Sequence, residues 1–191
     1  MPVPVTPSID APLIEVFSSM QGEGVLIGAR QVFVRFAGCN LDCDYCDTPF
    51  LPRSTCQVES KPGSGQFSSI NNPVNLSEIT RLISNWQNSS NNVHHSVALT
   101  GGEPLLHADI LRSWLPEVRA LLPVFVETNG TLAAELAKIL PLVDLISMDI
   151  KGSAVTGDPT PWNDHAELLQ LAGDRLCQVK LVVEGASTDA D

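Results

Sequence analysis

Residues 31–48 read QVFVRFAGCNLDCDYCDT, and this stretch decides the fold. β-Branched and aromatic side chains dominate its first six residues and favour a strand. Three cysteines follow at once, Cys39, Cys43 and Cys46, separated by three and then two residues. Thiols this crowded are typical of a metal or cluster site, whereas disulfides are rare in a cytosolic chain. The stretch therefore predicts a strand that ends in a metal-binding loop, which we call the cysteine loop (residues 38–48).

On the carboxyl side of the cysteines, short apolar runs alternate with runs of helical spacing. Helices that connect successive strands are typical of strand–helix units and of a parallel sheet, so we predict an α/β fold. The predicted strands are 31–36, 97–99, 124–126, 143–148 and 177–183, and the predicted helices are 77–86, 109–122, 132–140 and 164–171, with Ser77 as a plausible N-cap.

One segment interrupts this alternation. Residues 49–75 are rich in Ser, Pro, Gly and Asn, which predicts a surface loop or insertion. The rest of residues 1–191 is long enough for a single domain with its own core. We expect Cys56 to be a loop thiol and Cys177 a buried strand thiol, neither of them a metal ligand.

Composition argues against two classes of partner. The net charge is −11, from 11 Lys and Arg against 22 Asp and Glu. Nucleic-acid surfaces need clustered basic residues, so this balance argues against a nucleic-acid partner. No apolar run approaches the ~20 residues that span a membrane, and residues 1–10 lack the features of a signal peptide. We expect a cytoplasmic protein with no membrane partner.

Three predicted strands run into polar clusters, namely TGGEP (100–104), ETNG (127–130) and SMDIK (147–151). The carboxyl ends of parallel strands lie at one edge of a sheet, where ligand sites form. The cysteine loop also follows a strand, so we expect all four segments to converge on one site. Each cluster has a structural alternative, because the first two can be turns and Asp149 with Lys151 can be a surface ion pair.

The chemistry of the cysteine loop leaves two kinds of metal site open, since zinc and iron–sulfur clusters both bind thiolates. Structural zinc needs four ligands, and the fourth would be Cys56 or one of His94, His95, His107 and His165. A cubane cluster held by three cysteines instead leaves one iron open to a small molecule. A non-catalytic electron carrier, with Cys56 as fourth ligand, is the alternative from another functional class.

The cysteine loop GCNLDCDYCDT, followed by TGGEP, resembles the radical SAM superfamily. The resemblance implies an incomplete, partial TIM-type (β/α) barrel and a 4Fe–4S cluster on Cys39, Cys43 and Cys46 as the catalytic centre. It also implies that S-adenosylmethionine binds the open iron and is cleaved to a 5′-deoxyadenosyl radical. By the same resemblance, the residues that contact S-adenosylmethionine are Tyr45, Cys46, Asp47, Gly101, Gly102, Glu127, Thr128, Asn129, Ser147, Met148, Asp149 and Ile150.

The amino-terminal third of the sequence indicates one family within this superfamily. SMQGEG (19–24), FVR (33–35) and the cysteine loop together resemble the 7-carboxy-7-deazaguanine synthase family, over residues 15–183. That family converts 6-carboxy-5,6,7,8-tetrahydropterin to 7-carboxy-7-deazaguanine with ring contraction and loss of ammonia, for queuosine and 7-deazapurine biosynthesis. The resemblance implies a Mg²⁺ cofactor, an external reductant such as flavodoxin or ferredoxin, and a homodimer.

The same resemblance assigns substrate roles by position. The guanidinium fork of Arg35 would hold the substrate carboxylate, and Thr48 would ligate Mg²⁺. Each assignment has a structural alternative: an ion pair of Arg35 with a structural carboxylate, a turn at Thr48, and a flexible turn at 21–24. The residues implied to contact substrate are Met20, Gln21, Gly22, Glu23, Arg35 and Thr100.

Two features depart from the family pattern. Members usually continue beyond the last predicted strand, whereas this sequence ends at Asp191, so we expect a shortened or truncated C-terminus. SMDIK stands where many members have Ser-Pro-Lys. A glycyl-radical-enzyme activating protein shares the cysteine spacing and is the second enzyme hypothesis, but it does not require QGEG, Arg35 or Thr48.

Overall fold

The computed structural model describes residues 9–46, 48–49, 51–89 and 92–182, and a mixed sheet of eight strands forms its centre. Among these residues no helix is both long and apolar enough to cross a membrane. The strands are β1 (Asp10–Ala11), β2 (Leu13–Met20), β3 (Arg30–Phe36), β4 (Thr55–Glu59), β5 (Phe67–Asn71), β6 (Val74–Asn75), β7 (Ser96–Gly101), β8 (Val124–Thr128), β9 (Leu145–Lys151) and β10 (Leu176–Val182), and the helices are α1 (Leu76–Ser89), α2 (Ala108–Arg119), α3 (Ala133–Ile139), α4 (Ser153–Thr156) and α5 (Trp162–Ala172).

The strand order of the main sheet is β10-β9-β8-β7-β3-β2-β4-β5. The strands from β10 to β3 are parallel and are connected by helices, as the alternation predicts. β2 runs antiparallel to β3, and β4 and β5 extend the sheet as a hairpin. β10 and β5 are the two edges, so the sheet is open. This is the predicted α/β fold, an incomplete TIM-type barrel.

Side chains of successive strand residues point to opposite faces of the sheet, and the two faces differ in character. On the helix-covered face, Val32, Val34 and Phe36 of β3 join one large apolar core. Leu111 and Leu115 of α2, four residues apart on one side of the helix, pack into the same core. Each such side chain stabilises the fold by about 1.5–3 kcal/mol when it is fully buried.

We call the opposite face the inner face. It carries Gln31, Phe33 and Arg35 of β3, which alternate with the core residues of that strand. Phe33 forms a small apolar cluster there with Ala98 and Phe125. Most other side chains on this face are polar, so it is a surface suited to binding rather than to packing.

Residues 49–75 contain the β4–β5 hairpin, so the surface loop predicted there is wrong, while the alternative of an insertion stays a prediction. Cys56 is buried in the core of β4 rather than in a loop. The sequence does not indicate the hairpin because β5 (FSSIN) is polar and mostly exposed, and such an edge strand lacks the apolar pattern that predicts a strand. The buried Glu59 carboxylate accepts hydrogen bonds from the N–H groups of Ser18 and Gly65 and so fixes the hairpin to β2.

Element ends also differ from the prediction. β2 is absent from the predicted strands, because the apolar and polar residues of LIEVFSSM do not alternate regularly. α1 begins at Leu76, and Asn75 Oδ1 accepts the N–H of Ser77 (2.9 Å), so Asn75 rather than Ser77 acts as the cap. The side chain of Cys177 and all of Val183 lie outside the described residues.

Candidate active site

A cavity opens at the carboxyl end of the parallel strands, where the loops after β3, β7 and β8 meet the end of β9. The four segments that the sequence predicts to converge all contribute to it. The lining residues are Cys39, Leu41, Cys43, Tyr45, Cys46, Thr48, Thr100, Gly101, Gly102, Glu127, Thr128, Asn129, Asp149 and Lys151.

The cysteine loop presents three free thiols to this cavity. Gly38 has a φ of +89°, a conformation that favours glycine, and it turns the chain out of β3. The N–H of Cys46 donates to the carbonyl of Cys43 (2.9 Å), and the N–H of Asp44 donates to the carbonyl of Val155 (3.1 Å). The loop is therefore closed on itself and anchored to α4.

The thiols differ in their surroundings. Burial raises the pKa of Cys39 and of Cys43 above the ordinary thiol value. At Cys39 the hydrogen bonds from Leu41 and Asn129 oppose this effect, and at Cys43 the positive charge of Lys151 opposes it. The Leu41 and Asn129 donors and the Lys151 charge therefore favour the thiolate, the form that binds a metal, whereas burial favours the neutral thiol.

The TGGEP segment lies against the cysteine loop at backbone distance. The N–H of Gly102 donates to the carbonyl of Phe36 (3.2 Å), and the N–H of Glu103 donates to the carbonyl of Gly38 (2.8 Å). Gly101 has a φ of +132°, which side chains rarely adopt. The two glycines are therefore required by this close approach and not only by a turn.

Glu103 is fully buried beneath the cavity and connects two of its loops. Its carboxylate accepts from the N–H of Leu105 (3.0 Å), the hydroxyl of Thr128 (3.0 Å) and the N–H of Asn129 (2.7 Å). Burial raises the pKa of Glu103 to about 7, although the three hydrogen bonds favour the charged form. Glu103 thus connects the TGGEP segment to the ETNG segment through hydrogen bonds.

Polar side chains form a network where the inner face meets the cavity. Glu127 accepts from the amide of Gln21 (2.8 Å) and from the hydroxyl of Thr100 (2.8 Å). Gln21 also donates to Gln31 (3.1 Å), which in turn donates to Ser96 (2.8 Å). This network joins β3, β7 and β8 through hydrogen bonds rather than apolar contacts.

Charged side chains alternate along the other half of the inner face. Lys151 Nζ lies 3.0 Å from Asp149 Oδ2, and Lys180 Nζ lies 2.9 Å from Asp149 Oδ1. Lys180 also pairs with Glu23. Burial alone lowers the pKa of Lys180, but the carboxylates of Glu23 and Asp149 outweigh it and raise the pKa. Lys151 extends the chain of charges to the cavity, where its Nζ lies 5.4 Å from the ring centroid of Tyr45.

We call residues 21–29, between β2 and β3, the inner-face loop. It crosses the inner face from one side to the other. Gln21 ties it to β3 and β8, while the N–H of Val25 donates to Gln178 Oε1 (2.8 Å) and Glu23 pairs with Lys180 on β10. The loop therefore lies across the open barrel and closes one side of the polar face.

Comparison with known proteins gives the family. Residues 33–173 match the model of the radical SAM superfamily. The 7-carboxy-7-deazaguanine synthase of Geobacter sulfurreducens is 49% identical over 180 residues, which cover 94% of this chain and 72% of the relative. The chain belongs to the 7-carboxy-7-deazaguanine synthase family of radical SAM enzymes.

Further relatives have the same name. The 7-carboxy-7-deazaguanine synthase of Methanothermobacter thermautotrophicus is 44% identical over 144 residues, which cover 74% of this chain and 49% of the relative. The chain thus spans about half the length of that relative and 72% of the Geobacter one. A crystal structure of QueE from Escherichia coli is 18% identical with a TM-score of 0.49, over 92% of this chain and 72% of that one.

The residues that the family resemblance implies for S-adenosylmethionine divide into two groups. Those in the cysteine loop, TGGEP and ETNG line the cavity, as does Asp149, although Asp47 lies outside the described residues. Strand alternation turns Met148 and Ile150 to the helix-covered face, where Met148 is fully buried in the core. Ser147 is buried on the inner face and accepts from Gln178 (2.8 Å).

The implied substrate residues are also divided. Gln21 and Thr100 meet at Glu127, and Glu23 reaches the cavity only through Lys180. Met20 ends β2 with 52% of its surface exposed and does not line this cavity. Of the implied substrate residues, only Thr100 lines this cavity, and the substrate roles stay predictions.

Arg35 is on the inner face, yet it already has a protein partner. Its Nε donates to Glu15 Oε1 at 2.8 Å, and the two residues are register partners of β2 and β3. This is the structural alternative that the sequence left open. On its other side Arg35 is the register partner of Thr100, which lines the cavity.

The cavity contains three thiols as candidate metal ligands. In the described residues no group of three or more His, Cys, Asp or Glu is arranged to hold one ion, whereas three thiols share one cavity. Cys56 is buried in β4 away from that cavity, and burial raises its pKa to about 12. The electron-carrier and zinc hypotheses therefore lose Cys56 as fourth ligand.

The sequence does not indicate the roles of three residues of the site. The sequence places Lys151 and Glu103 in the converging SMDIK and TGGEP segments without a role of their own, and it does not indicate Lys180. The period of two along β9 places Lys151 on the same face as Asp149, which is the signal that identifies it. Lys180 needs the register of β10 on β9, which the sequence does not contain.

Proposed function

We propose that this chain catalyses the reaction for which its family is named. In that reaction 6-carboxy-5,6,7,8-tetrahydropterin becomes 7-carboxy-7-deazaguanine with ring contraction and loss of ammonia, in an S-adenosylmethionine-dependent step. The observation that carries the proposal is the meeting of three free thiols and the polar inner face at one cavity. The 49% identity to the Geobacter synthase supports it.

In this proposal Cys39, Cys43 and Cys46 hold a 4Fe–4S cluster. Reductive cleavage of S-adenosylmethionine is the chemistry that such a cluster supplies when it is bound. Gly101 and Gly102 leave room for the backbone to approach the methionine part. The protein's own contribution is to orient both small molecules and to exclude water from the space between them.

The inner face supplies the groups for the substrate. A pterin ring has N–H donors along one edge, and the Glu127 carboxylate and the Thr100 hydroxyl keep lone pairs that can accept from them, while Gln21 holds Glu127 in place. The Arg35 guanidinium holds the substrate carboxylate, beside its existing bond to Glu15. Thr48 ligates a Mg²⁺ ion shared with the substrate. By family analogy the enzyme is a cytoplasmic homodimer served by flavodoxin or ferredoxin.

An anaerobic assay tests the proposal. The cluster is reconstituted, dithionite, S-adenosylmethionine, Mg²⁺ and 6-carboxy-5,6,7,8-tetrahydropterin are added, and mass spectrometry measures 7-carboxy-7-deazaguanine. We expect product from the wild-type chain, none from Cys43→Ala, and at least about tenfold less from Arg35→Ala, which loses a charge-assisted contact. Cys56→Ala and Arg119→Ala are the matched controls and keep their product, since both residues lie outside the cavity.

Two results would overturn the proposal. Deoxyadenosine without deazaguanine would retain the radical chemistry and refute this substrate, as the glycyl-radical-enzyme hypothesis expects. Failure to form either product in a chain that holds its cluster would refute the reaction as a whole.

A further inference from the structure

The side-chain amide of Asn129 is held in one orientation beside a cluster cysteine. Its Oδ1 accepts from the N–H (3.1 Å) and the hydroxyl (2.7 Å) of Thr131. Since a backbone N–H can only donate, the atom that faces Thr131 is the amide oxygen. The amide nitrogen therefore faces the cysteine loop, where it lies 2.9 Å from Asn40 Oδ1 and 3.9 Å from Cys39 Sγ.

The backbone of Asn129 is fixed as well. Asn129 is only 5% exposed, and its N–H donates to the buried Glu103 carboxylate at 2.7 Å. The same carboxylate holds the hydroxyl of Thr128, the preceding residue. The amide therefore points at Cys39 from a rigid turn, not from a mobile side chain.

A donor aimed at a ligating sulfur changes the properties of an iron–sulfur cluster. Hydrogen bonds to the sulfurs withdraw negative charge and so stabilise the reduced, more negative cluster. The N–H of Leu41 lies 3.4 Å from the same sulfur, but it is a backbone group that side-chain substitutions leave in place. The Glu103 carboxylate also acts on this thiol, but through charge at a distance, whereas the Asn129 side chain donates to the sulfur and can be substituted without removing that carboxylate.

We propose that Asn129 raises the reduction potential of the cluster by donating an N–H···S hydrogen bond to Cys39. This role is additional to any contact of Asn129 with S-adenosylmethionine, and it makes Asn129 a positioning residue that acts through Cys39. The inference rests on the proposed function only for the cluster on the three cysteines, and not for the substrate.

Three variants separate this role from general effects of charge or packing. Asn129→Asp keeps an oxygen towards Thr131 and replaces the donor by a charged acceptor, while Asn129→Ala removes the donor without adding charge. Asn40→Asp is the matched control, because it places the same carboxylate beside Cys39 at an exposed position and leaves the Asn129 donor intact.

The measurement is the midpoint potential of the reconstituted holoprotein, from a redox titration followed by electron paramagnetic resonance without S-adenosylmethionine or substrate. We expect the potential to fall in Asn129→Ala, to fall further in Asn129→Asp, and to move by less than half as much in Asn40→Asp as in Asn129→Asp. Unchanged potentials in both Asn129 variants at wild-type iron content would overturn the proposal.

A second measurement decides the case if the Asn129 variants do not take up the cluster. Holoprotein with ¹⁵N in its asparagine side chains is reduced, and pulsed electron–nuclear double resonance looks for coupling of the cluster to an amide nitrogen. We expect a coupling that persists in Asn40→Asp, and its absence there would overturn the proposal. Neither measurement involves the pterin, so failure of the enzyme assay and failure of this inference are distinct results.

Discussion

At the scale of single residues, Gly102 is the position in the cavity lining where a side chain would meet the backbone most closely. A Cβ at this position would lie 2.0 Å from the carbonyl oxygen of Gly38 and 3.1 Å from the Cβ of Cys39. Because the first of these atoms belongs to the backbone, no change of rotamer relieves the clash. The missing side chain therefore sets the position of the cysteine loop relative to β7.

We expect Gly102→Ala to push the cysteine loop outwards and to lower the free energy of unfolding by about 1–3 kcal/mol. The iron bound per chain after reconstitution should fall to less than half of the wild-type value. Gly22→Ala is the matched control, since a Cβ there meets no atom within 4 Å. Wild-type iron content in Gly102→Ala would contradict this account of the loop.

Cys56 gives the opposite expectation at the same scale. We expect Cys56→Ala to retain full cluster content, because the thiol lies in the core and away from the cavity. The substitution removes one buried sulfur and should cost about 1–2 kcal/mol of stability, measured by urea unfolding. Loss of the iron–sulfur absorption in this variant would restore the electron-carrier hypothesis.

The sequence alone predicts the three cysteines of the cysteine loop and the glycines of TGGEP, because both are recognised from residue type and spacing. It does not predict the role of Glu103, whose three donors come from two separate loops. It also leaves Arg35 undecided, since its partner Glu15 is fixed by the register of β2 on β3. The role of a residue that acts within one segment can thus be predicted from the sequence, whereas the role of a residue that connects two segments can be assigned only from the structure.

At the scale of elements, the parallel strands and most of their helices are predicted because short apolar runs alternate regularly with runs of helical spacing. The β4–β5 hairpin is missed because an exposed edge strand needs few apolar residues. For the inner-face loop the sequence offers substrate contacts by resemblance or a flexible turn, and it does not indicate that the loop reaches β10. Its position depends on side chains about 150 residues away, chiefly Gln178 and Lys180.

Lys180→Met tests that attachment. The apolar side chain keeps the length of lysine but leaves Glu23 without its partner, whereas Asp149 retains Lys151. We expect a Glu-specific protease to cut the inner-face loop after Glu23 about fivefold faster than in the wild type, as loss of roughly 1 kcal/mol of local stability implies.

Lys138→Met is the control for this measurement, because Lys138 makes a comparable ion pair on the surface with Glu135, far from the loop. Equal cutting rates at Glu23 in the Lys180 variant and the control would show that other contacts hold the loop.

At the scale of the whole molecule, a buried histidine makes stability depend on pH. His94 is held by Ser18 (2.9 Å) and Gln87 (2.7 Å) beneath α1. Burial lowers the pKa of His94; the nearby Arg30 lowers it further, and Glu59 opposes this. The folded state therefore prefers the neutral ring, while the unfolded chain takes up a proton near the ordinary histidine value of about 6.5.

This preference for the neutral ring fixes the direction in which stability changes with pH. Above about pH 6.5 the stability due to His94 is complete, and it is lost as the pH falls through the lowered pKa of the folded state. Glu103, whose pKa burial raises to about 7, acts in the opposite sense in both proteins, so the test compares the two proteins. We expect urea unfolding to show that a fall from pH 7.5 to pH 5.5 changes the stability of His94→Gln more favourably than that of the wild type. His165, whose pKa burial also lowers, leaves part of the slope in that variant. Equal slopes in both proteins would refute the assignment to His94.

The position of the inner-face loop has a consequence for the evolution of such enzymes. The cluster ligands and the glycines that surround them lie after β3 and β7, whereas the loop is encoded before β3 and reaches the site from the opposite direction. Mutation can therefore change the loop that we propose to face the substrate while the cysteines and glycines of the cavity stay the same. A lineage can acquire a new substrate by changing one short coding segment while its radical-generating apparatus is inherited intact.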